Sequence, residues 1–585
     1  MGHRKRPQAN QATNFDGDVS NQLGTVSHDG SVKYVGELGE NVAPPTYQEA
    51  GGAPVESHSP LGYTVGPITM LFLNISMMIG TGIYSTPSAI LAGTGSVGLS
   101  MIYWILGAVI SLCSAAVYLE YAACFPSRSG TEIVNLEQAY PWPRYLFPTA
   151  FAMQNIILSF RSSNAIVLAD YLFATNGSKG TDWQIKGVAI AGYTIAFVVV
   201  LLHTRSSYYL SNAIGSLKLI TLIFIAVTGF VVLGGHTKVQ NPIANFDNAF
   251  QGSATPYGLT NALYRIIFSY GGYNNAFNVV NEIRNPVKQI KRNGTIAILV
   301  VMTLYVFTNV ALIAAVGKEK LESPGTIAAS LFFTAVFGSG NAAKGLNFLT
   351  ALSSFGNMVA VMIGAARMLR ECGRQGVLPV TRFWVSTWPF GTPAGPYMLD
   401  WALTVDIILT IPTGDAFNFV SDLAVLPNSV FNLAMAVGLY IVRWRRKKAN
   451  LPRPSFKAWH PVVIFNILVQ LYLVVMPWYP PAGGKGDVAF WYGTHVVTGL
   501  GIVLLCGAYY LLGVQLLPRW QGYRLRQKVL QLSDGAQTHH LIKVPVYQVK
   551  EWDRTHDLTG RTIEDQSSQQ STENVTTSIA GEKPA

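Results

Sequence analysis

The stretch Asn74-Ile-Ser-Met-Met-Ile-Gly-Thr-Gly-Ile-Tyr-Ser-Thr-Pro87 decides how this chain folds, because two glycines and a proline interrupt a long apolar run. Glycine is a poor helix former, and proline removes an internal helical hydrogen bond. A second interruption lies further along, in Phe268-Ser-Tyr-Gly-Gly-Tyr-Asn274, where paired glycines again stand among polar groups. The sequence therefore predicts two broken helices inside apolar segments.

The surrounding chain has the composition of a membrane protein. Of its 585 residues, 50% are hydrophobic and only 12% are charged, which is too few to coat a soluble chain of this size. The apolar runs are each close to the 20 residues that cross about 30 Å of hydrocarbon. We therefore predict an all-α polytopic membrane protein with twelve helices. The predicted spans are 66–92, 97–124, 145–172, 186–204, 207–234, 256–281, 293–317, 344–371, 397–413, 416–443, 459–479 and 490–517.

These spans divide the chain into four predicted parts. Residues 1–60 form a disordered cytoplasmic tail that is rich in Gly, Ser, Asn and Pro, and residues 61–443 form a transport core of ten helices. Residues 444–517 hold two peripheral helices, and residues 518–585 form a cytoplasmic C-terminal tail whose last stretch, from Gln566, is expected to be disordered.

Charge in the predicted loops sets the orientation. Loops on the side of both termini are rich in lysine and arginine, as in the run Arg443–Lys448, whereas the opposite loops carry few. The positive-inside rule then places both termini in the cytoplasm. This bias also accounts for most of the +11 net charge, so we attribute the basicity to topology and expect no nucleic-acid partner. In this orientation Asn176 is an outer glycosylation site.

The two breaks predict a binding cavity at mid-membrane depth. Lipid cannot hydrogen-bond freed N–H and C=O groups, so irregular backbone is tolerated there only inside protein or around a water-filled cavity. The N-terminus of a half-helix attracts a carboxylate, and freed carbonyls accept from an ammonium, which are the two charged groups of an amino acid. The alternative is that the glycines only allow helices to pack closely.

Four signatures in order resemble the amino acid-polyamine-organocation superfamily, in its L-type and fungal methionine-permease-like branch. They are the break Gly80–Tyr84, the segment Phe268–Asn274 with the Glu282–Pro286 motif after it, the segment Tyr118–Gly130, and the segment Arg367–Pro379. The resemblance covers about residues 62–515. It implies a LeuT-like fold, in which ten core helices form two inverted repeats of five and two helices are peripheral.

The resemblance also implies site residues. In such a transporter Ile79, Gly80, Thr81 and Gly82 would hold the α-carboxylate and part of the ammonium of the substrate. A second group would complete the ammonium site and close it from outside, and its members are Phe268, Ser269 and Gly271. No cofactor, metal or catalytic residue is implied.

Lys218 falls where this branch places a lysine that substitutes for a sodium ion. Such a buried cation could replace sodium electrostatically, or its deprotonation could couple transport to protons. Alternatively, Lys218 only extends its ammonium to a membrane interface.

The sequence departs from the branch pattern at three points. Val359 stands where L-type members usually have asparagine, although Asn357 lies half a turn away and is our candidate for the pocket. Arg265 is a deep cation that we expect to face the cavity, to lie in a vestibule, or to pair with an acid such as Glu120 or Asp170. The loop after the third helix lacks cysteine, so we expect no disulfide-linked subunit.

The N-terminal tail carries one short interaction motif. Pro44, Pro45 and Tyr47 form the P-P-x-Y pattern that WW domains bind. A WW-domain ubiquitin ligase recruited there would modify Lys5 or Lys33 and drive endocytosis.

The sequence is compatible with three functions. The first is a secondary amino-acid transporter at the plasma membrane, sodium-independent or proton-coupled. Neutral side chains are favoured because the signatures at the two breaks supply no acid to meet a cationic one, and large neutral or sulfur-containing substrates are the first choice. The second is a polyamine or choline carrier. The third is an amino-acid-sensing receptor, whose mark would be longer and more structured tails. An enzyme is disfavoured because the histidines are scattered, with no nucleophile or metal set near them.

Overall fold

The computed structural model describes residues 34–37, 46–49, 65–125, 130–159, 161–283, 286–322, 328–411, 413–448, 450–451, 453–481, 491–532, 537–556 and 560. Its α-helices are α1 Pro67–Met78, α2 Thr81–Ser85, α3 Pro87–Thr94, α4 Val97–Cys124, α5 Glu132–Ala139, α6 Leu146–Ile157, α7 Ser162–Thr175, α8 Asp182–Leu202, α9 Thr204–Leu233, α10 Pro256–Ser269, α11 Pro286–Val316, α12 Lys318–Leu321, α13 Ala328–Phe337, α14 Asn341–Arg374, α15 Thr381–Val385, α16 Ala394–Thr410, α17 Thr413–Lys448, α18 His460–Val475, α19 Thr494–Tyr510, α20 Leu517–Trp520 and α21 Val549–Thr555. The 3₁₀ segments are Pro242–Phe246, Asn275–Glu282, Met476–Trp478 and Val546–Gln548, and a π-helical segment covers Leu511–Leu516.

Ten helical segments of the described chain are long and apolar enough to cross a membrane. They are Pro67–Ser85, Val97–Cys124, Leu146–Thr175, Asp182–Leu202, Thr204–Leu233, Pro286–Val316, Asn341–Arg374, Asp422–Lys448, His460–Trp478 and Thr494–Trp520. The predicted sixth and ninth spans are present as α10 and α16, which have 14 and 17 residues and are therefore shorter than a full span. The chain is a mostly helical, polytopic membrane protein.

The helices around the first break form the centre of the molecule. Helix α1 packs against α9, α11 and α14, and α10 packs against α3, α4 and α17. The last two long helices, α18 and α19, lie at the edge, since they are among the least buried of the long segments, and both contact α17. We use the name termini face for the side of the molecule at which α1 begins and the last long segment ends.

Buried ion pairs link residues that lie far apart in the chain. Arg367 Nε donates to Glu282 Oε1 at 3.2 Å, and both side chains are almost fully buried. Arg443 Nη2 donates to Glu120 Oε2 at 2.6 Å. Because removing one partner of a buried pair leaves an uncompensated buried charge, loss of either partner should destabilise the fold strongly.

Part of the predicted C-terminal tail is folded. Strands β3 Tyr523–Gln531 and β4 Gln537–Pro545 form an antiparallel hairpin that lies against the end of α14. Arg374 Nε donates to Gln537 O at 2.9 Å, and Thr538 Oγ1 donates to Arg374 O at 3.3 Å. The stretch from Gln566 lies outside the described residues.

The predicted N-terminal tail contains two short strands. Strand β1 Tyr34–Glu37 pairs with β2 Thr46–Glu49 in antiparallel register, with Gly36 opposite Tyr47. The fold is therefore mostly helical rather than all-α, because these two strands and the C-terminal hairpin stand beside the helices. Pro44 and Pro45 of the WW-domain motif lie outside the described residues.

Candidate functional site

The first predicted break interrupts the helix at Ile79 and Gly80. Helix α1 ends at Met78, Ile79 has a non-helical backbone with ψ of 84°, and Gly80 has φ −127° and ψ −143°. The helix resumes as α2 and continues, after the single residue Thr86, as α3. The N–H groups of the first turn of α2 have no partner within their own helix.

Lys218 lies against the end of α1. Its Nζ donates to Ser76 O at 2.7 Å and to Ile79 O at 2.8 Å, and only 1% of the residue is exposed. The negative end of the helix dipole and two freed carbonyls therefore receive a cation. The alternative that Lys218 extends to a membrane interface is wrong, because the ammonium is buried at the break.

Two more side chains complete this end of α1. Asn357 Nδ2 lies 3.0 Å from Ser76 O and 2.6 Å from Met77 O. The Tyr305 hydroxyl donates to Met78 O at 2.5 Å. Each of the last carbonyls of α1 thus has a donor from another helix, as burial in a low-dielectric interior requires.

The second break follows α10. Gly272 has φ +116°, a conformation that L side chains rarely adopt, and the helix resumes as a 3₁₀ turn at Asn275. Asn74, on α1, joins the two breaks: its Nδ2 donates to Tyr273 O at 3.1 Å and its Oδ1 accepts from Ala276 N at 2.9 Å. The two interruptions therefore meet in space.

The glycines at the breaks also allow close packing. A Cβ placed on Gly82 would lie 2.7 Å from Ser269 Cα, and one on Gly80 would lie 2.3 Å from Asn357 Nδ2. Real Cβ atoms do not approach so closely. The packing explanation of these glycines therefore holds beside the binding explanation, and the two do not exclude each other.

A cavity of about 310 Å³ lies at the breaks. Six of the predicted site residues line it, namely Gly80, Thr81, Gly82, Phe268, Gly271 and Asn357. The Thr81 hydroxyl donates to Asn164 Oδ1 of α7 at 2.9 Å. The cavity also reaches Met368, near the termini-face end of α14.

Two predicted members of the site do not line this cavity. Ile79 turns its carbonyl to Lys218, and the Ser269 hydroxyl lies 2.8 Å from both Thr86 Oγ1 and Arg265 O. Val359 is fully buried and is absent from the described lining, to which Val361 contributes instead. The departure at Val359 therefore leaves this cavity wall unchanged.

The structure contains a third broken helix that the sequence did not predict. The predicted span 145–172 is divided into α6 and α7, and Arg161 stands just before α7 in the cavity wall. Asp400, on α16, accepts from Ser159 Oγ at 3.2 Å and from the Tyr193 hydroxyl at 2.5 Å. No glycine or proline marks this break, but a charged residue inside an apolar span would have indicated it.

Glu132 is a further residue of the cavity that the sequence did not predict. It is the first residue of α5, in a loop between predicted spans, and it lines the cavity. The sequence favours neutral substrates because the signatures at the breaks contain no acid. That reason no longer holds, since the fold brings Glu132 to the cavity from outside those signatures.

Arg265 has a partner that the sequence did not indicate. Its Nη2 donates to Asp422 Oδ2, on α17, at 3.1 Å, and both side chains are almost fully buried. The suggested partners are wrong, because Glu120 binds Arg443 and Asp422 occupies the position beside Arg265. Arg265 is absent from the described lining of the cavity.

Two sequence features lie away from the cavity. Asn176 is exposed just after the end of α7, where a glycan would have room. All four cysteines lie within the described residues, and they are buried and free of disulfide bonds.

Comparison with known proteins adds independent findings. The family model described as amino acid permease matches residues 65–502. The high-affinity methionine permease of Saccharomyces cerevisiae is 34% identical over 486 residues, which are 82% of this chain and 84% of the relative. The low-affinity methionine permease of the same organism is 27% identical over 497 residues, or 83% and 89% of the two chains.

A mammalian transporter is also similar. The large neutral amino acids transporter small subunit 2 of Rattus norvegicus is 25% identical over 512 residues, which are 84% of this chain and 88% of the relative. The similar proteins are permeases and transporters rather than enzymes, which confirms that this chain is not an enzyme.

Proposed function

The chain belongs to the amino acid permease family, and from this premise we propose that it is a secondary active transporter of a neutral L-amino acid. The observation that carries the proposal is that both broken helices and Asn357 line one cavity of about 310 Å³. This size lies at the lower end of the range for small-molecule sites. Alternating access of that cavity to the two faces would move the substrate.

Large neutral or sulfur-containing amino acids are the favoured substrates. The similar proteins include two methionine permeases and a large neutral amino acids transporter. Apolar side chains such as Ile110, Phe151 and Val361 line the same cavity as the glycine breaks and would contact a substrate side chain.

The two charged groups of the substrate would bind at the breaks. The N–H groups of Thr81 and Gly82 begin the resumed half of the first helix, where a carboxylate is stabilised by the helix dipole. The ammonium would lie between Gly80 and Gly271, and Phe268 would close the site from outside. Ile79 and Ser269 do not line the cavity, and they would support the site indirectly by holding the backbone of the two breaks in position.

The fold we propose is the LeuT-like arrangement of two inverted five-helix repeats with two peripheral helices. Twelve spans follow when α10 and α16 are counted with the ten long segments. The breaks fall in the first and sixth of these spans, which are the first helices of the two repeats. The edge positions of α18 and α19 support their assignment as peripheral helices.

Lys218 would take the place of a coupling sodium ion. Its ammonium lies within hydrogen-bonding distance of two carbonyls at the break, which is the position where a bound cation would stabilise the end of α1. Loss of its proton would release those carbonyls, so proton movement and the position of α1 would be coupled. We therefore propose sodium-independent, proton-coupled transport.

The surroundings of the transporter follow from the sequence. The lysine and arginine distribution in its loops supports a cytoplasmic position for both termini, and we propose the plasma membrane as its location. The tail motif of Pro44, Pro45 and Tyr47 would recruit a WW-domain ubiquitin ligase, and Asn176 would carry an outer glycan.

A panel of radiolabelled amino acids tests the proposal. Membrane vesicles containing the protein should take up neutral amino acids, and an inward proton gradient should stimulate uptake while sodium has no effect. Absence of uptake for every amino acid would overturn the proposal. Uptake that ignores pH but responds to amino acid inside the vesicle would replace the proton symporter with an exchanger.

An amino-acid receptor remains the second candidate, because the folded hairpin β3–β4 contacts the end of α14. A structured tail is the feature that this function predicts. Amino-acid binding without movement of label into the vesicle would favour the receptor over the transporter.

A further inference from the structure

The charged residues of the cavity wall lie in two separate places. Among the described residues that line the cavity, Arg161 and Glu132 are the two that carry a formal charge. Arg161 precedes α7, which also contributes Asn164, the partner of Thr81 at the first break. Glu132 instead follows α4, which ends at the termini face.

Glu132 is held by hydrogen-bond donors. The hydroxyls of Tyr118 and Thr131 donate to its two carboxylate oxygens, and Asn274 Nδ2 donates to Oε1 at 3.2 Å. Carboxylate oxygens accept hydrogen bonds, and these three donors fix the position of the carboxyl group beside the cavity. These described partners are all neutral.

The position of Asn274 places this carboxylate on the route away from the breaks. Asn274 belongs to the second break itself, after Gly271 and Gly272, in a helix that runs toward the termini face. Tyr118 lies in the half of α4 that is nearer the termini face, and its hydroxyl also contacts Asn432 Oδ1 at 2.9 Å. Glu132 therefore lies beside the second break, on the side at which α4 ends and α5 begins.

We propose that Glu132, held by Tyr118 and Asn274, is a second binding subsite for the α-ammonium of the substrate at the termini-face end of the cavity. This inference rests on the proposed transport function and adds to it a group that binds the substrate during release or loading at one face. A primary ammonium supplies three N–H donors for a fixed carboxylate, and such charge-assisted bonds are the stronger ones. The amino acid leaves the central site with its ammonium first.

Sided transport measurements test this subsite. The apparent KM for radiolabelled L-methionine and L-leucine is measured in vesicles of each orientation, so that either face can be presented to the label. Glu132→Gln keeps the shape of the side chain and should raise KM at the termini face about tenfold or more, as loss of a charge-assisted hydrogen bond implies. At the opposite face KM should stay within about twofold.

The chain offers a matched control on the same short helix. Glu137 also lies on α5 but is absent from the described lining of the cavity, and Glu137→Gln changes the net charge equally. It should leave KM within about twofold at both faces. If Glu132→Gln fails to fold, as judged by size-exclusion elution, Glu132→Asp serves instead and should raise KM at the termini face alone by about threefold.

The outcomes separate this inference from the proposed function. If the wild-type protein transports neither amino acid from either face, the transport function itself fails. If the wild-type protein transports them, but KM of the folded Glu132 variant is unchanged or rises equally at both faces, the subsite is overturned while the transport function stands. Loss of proton stimulation with unchanged KM at both faces also overturns the subsite.

Discussion

Replacing Lys218 by methionine tests the proposed role of its ammonium in proton-coupled transport. The substitution keeps most of the volume of the side chain and removes the ammonium that donates to Ser76 O at 2.7 Å and Ile79 O at 2.8 Å. Two charge-assisted hydrogen bonds of about 1.5–3 kcal/mol each are lost. Burial of an ammonium costs several kcal/mol, and the variant recovers that cost. We therefore expect the free energy of unfolding to change by no more than about 2 kcal/mol.

The effect on transport should be much larger than the effect on stability. Asn357 still donates to Ser76 O at 3.0 Å, whereas Ile79 O loses its Lys218 donor. The end of α1 then has no cation to fix it beside the cavity. We expect Lys218→Met to reduce initial uptake of radiolabelled methionine at least tenfold and to abolish its stimulation by an imposed proton gradient.

Lys186 provides the matched control. It is another buried lysine, but its Nζ binds Leu409 O at 3.1 Å and Asp182 at 3.2 Å, away from both breaks. Lys186→Met should leave uptake within about twofold and should keep the response to protons. If Lys218→Met folds and retains full proton-stimulated uptake, Lys218 has no part in coupling and the mechanism must be replaced.

Three further predictions concern other parts of the molecule. Asp422→Asn should lower the free energy of unfolding in detergent by about 3–5 kcal/mol, because it leaves the buried guanidinium of Arg265 without its carboxylate. Gly82→Ala should cost about 1–3 kcal/mol and reduce uptake more than tenfold, since its Cβ would lie 2.7 Å from Ser269 Cα. Asn176→Gln should remove one glycan, which a gel-mobility shift after glycosidase treatment detects in the wild-type protein alone.

Each of these predictions has its own control. The double variant Arg265→Met with Asp422→Leu removes both charges and should recover most of the lost stability, and failure to do so would mean that the pair is not the cause. Gly501→Ala has open space around its Cβ and should behave like the wild-type protein. Equal defects in Gly82→Ala and Gly501→Ala would contradict the packing argument. A wild-type protein whose mobility is unchanged by glycosidase would contradict the prediction that Asn176 carries a glycan.

The sequence alone was sufficient for the features that depend on local composition. Apolar runs define membrane spans because each run must itself cover the hydrocarbon. The breaks at Gly80 and Gly271 could be predicted because the low helix propensity of glycine acts on the backbone at its own position. The ordered signatures were also local, and the match of residues 65–502 to the amino acid permease family confirms the resemblance that they carried. The position of Lys218 followed from the resemblance to this branch, although its partners did not.

The tertiary structure was needed for pairs of residues whose partners lie far apart in the sequence. Arg265 and Asp422 are separated by 157 positions, so no local pattern could choose Asp422 over the other acids. Glu132 begins α5 between two predicted spans, and it reaches the cavity because the fold brings it beside Asn274 of the second break. Hydropathy and backbone propensity act within a helix, whereas the charge of a cavity is set by which helices pack together.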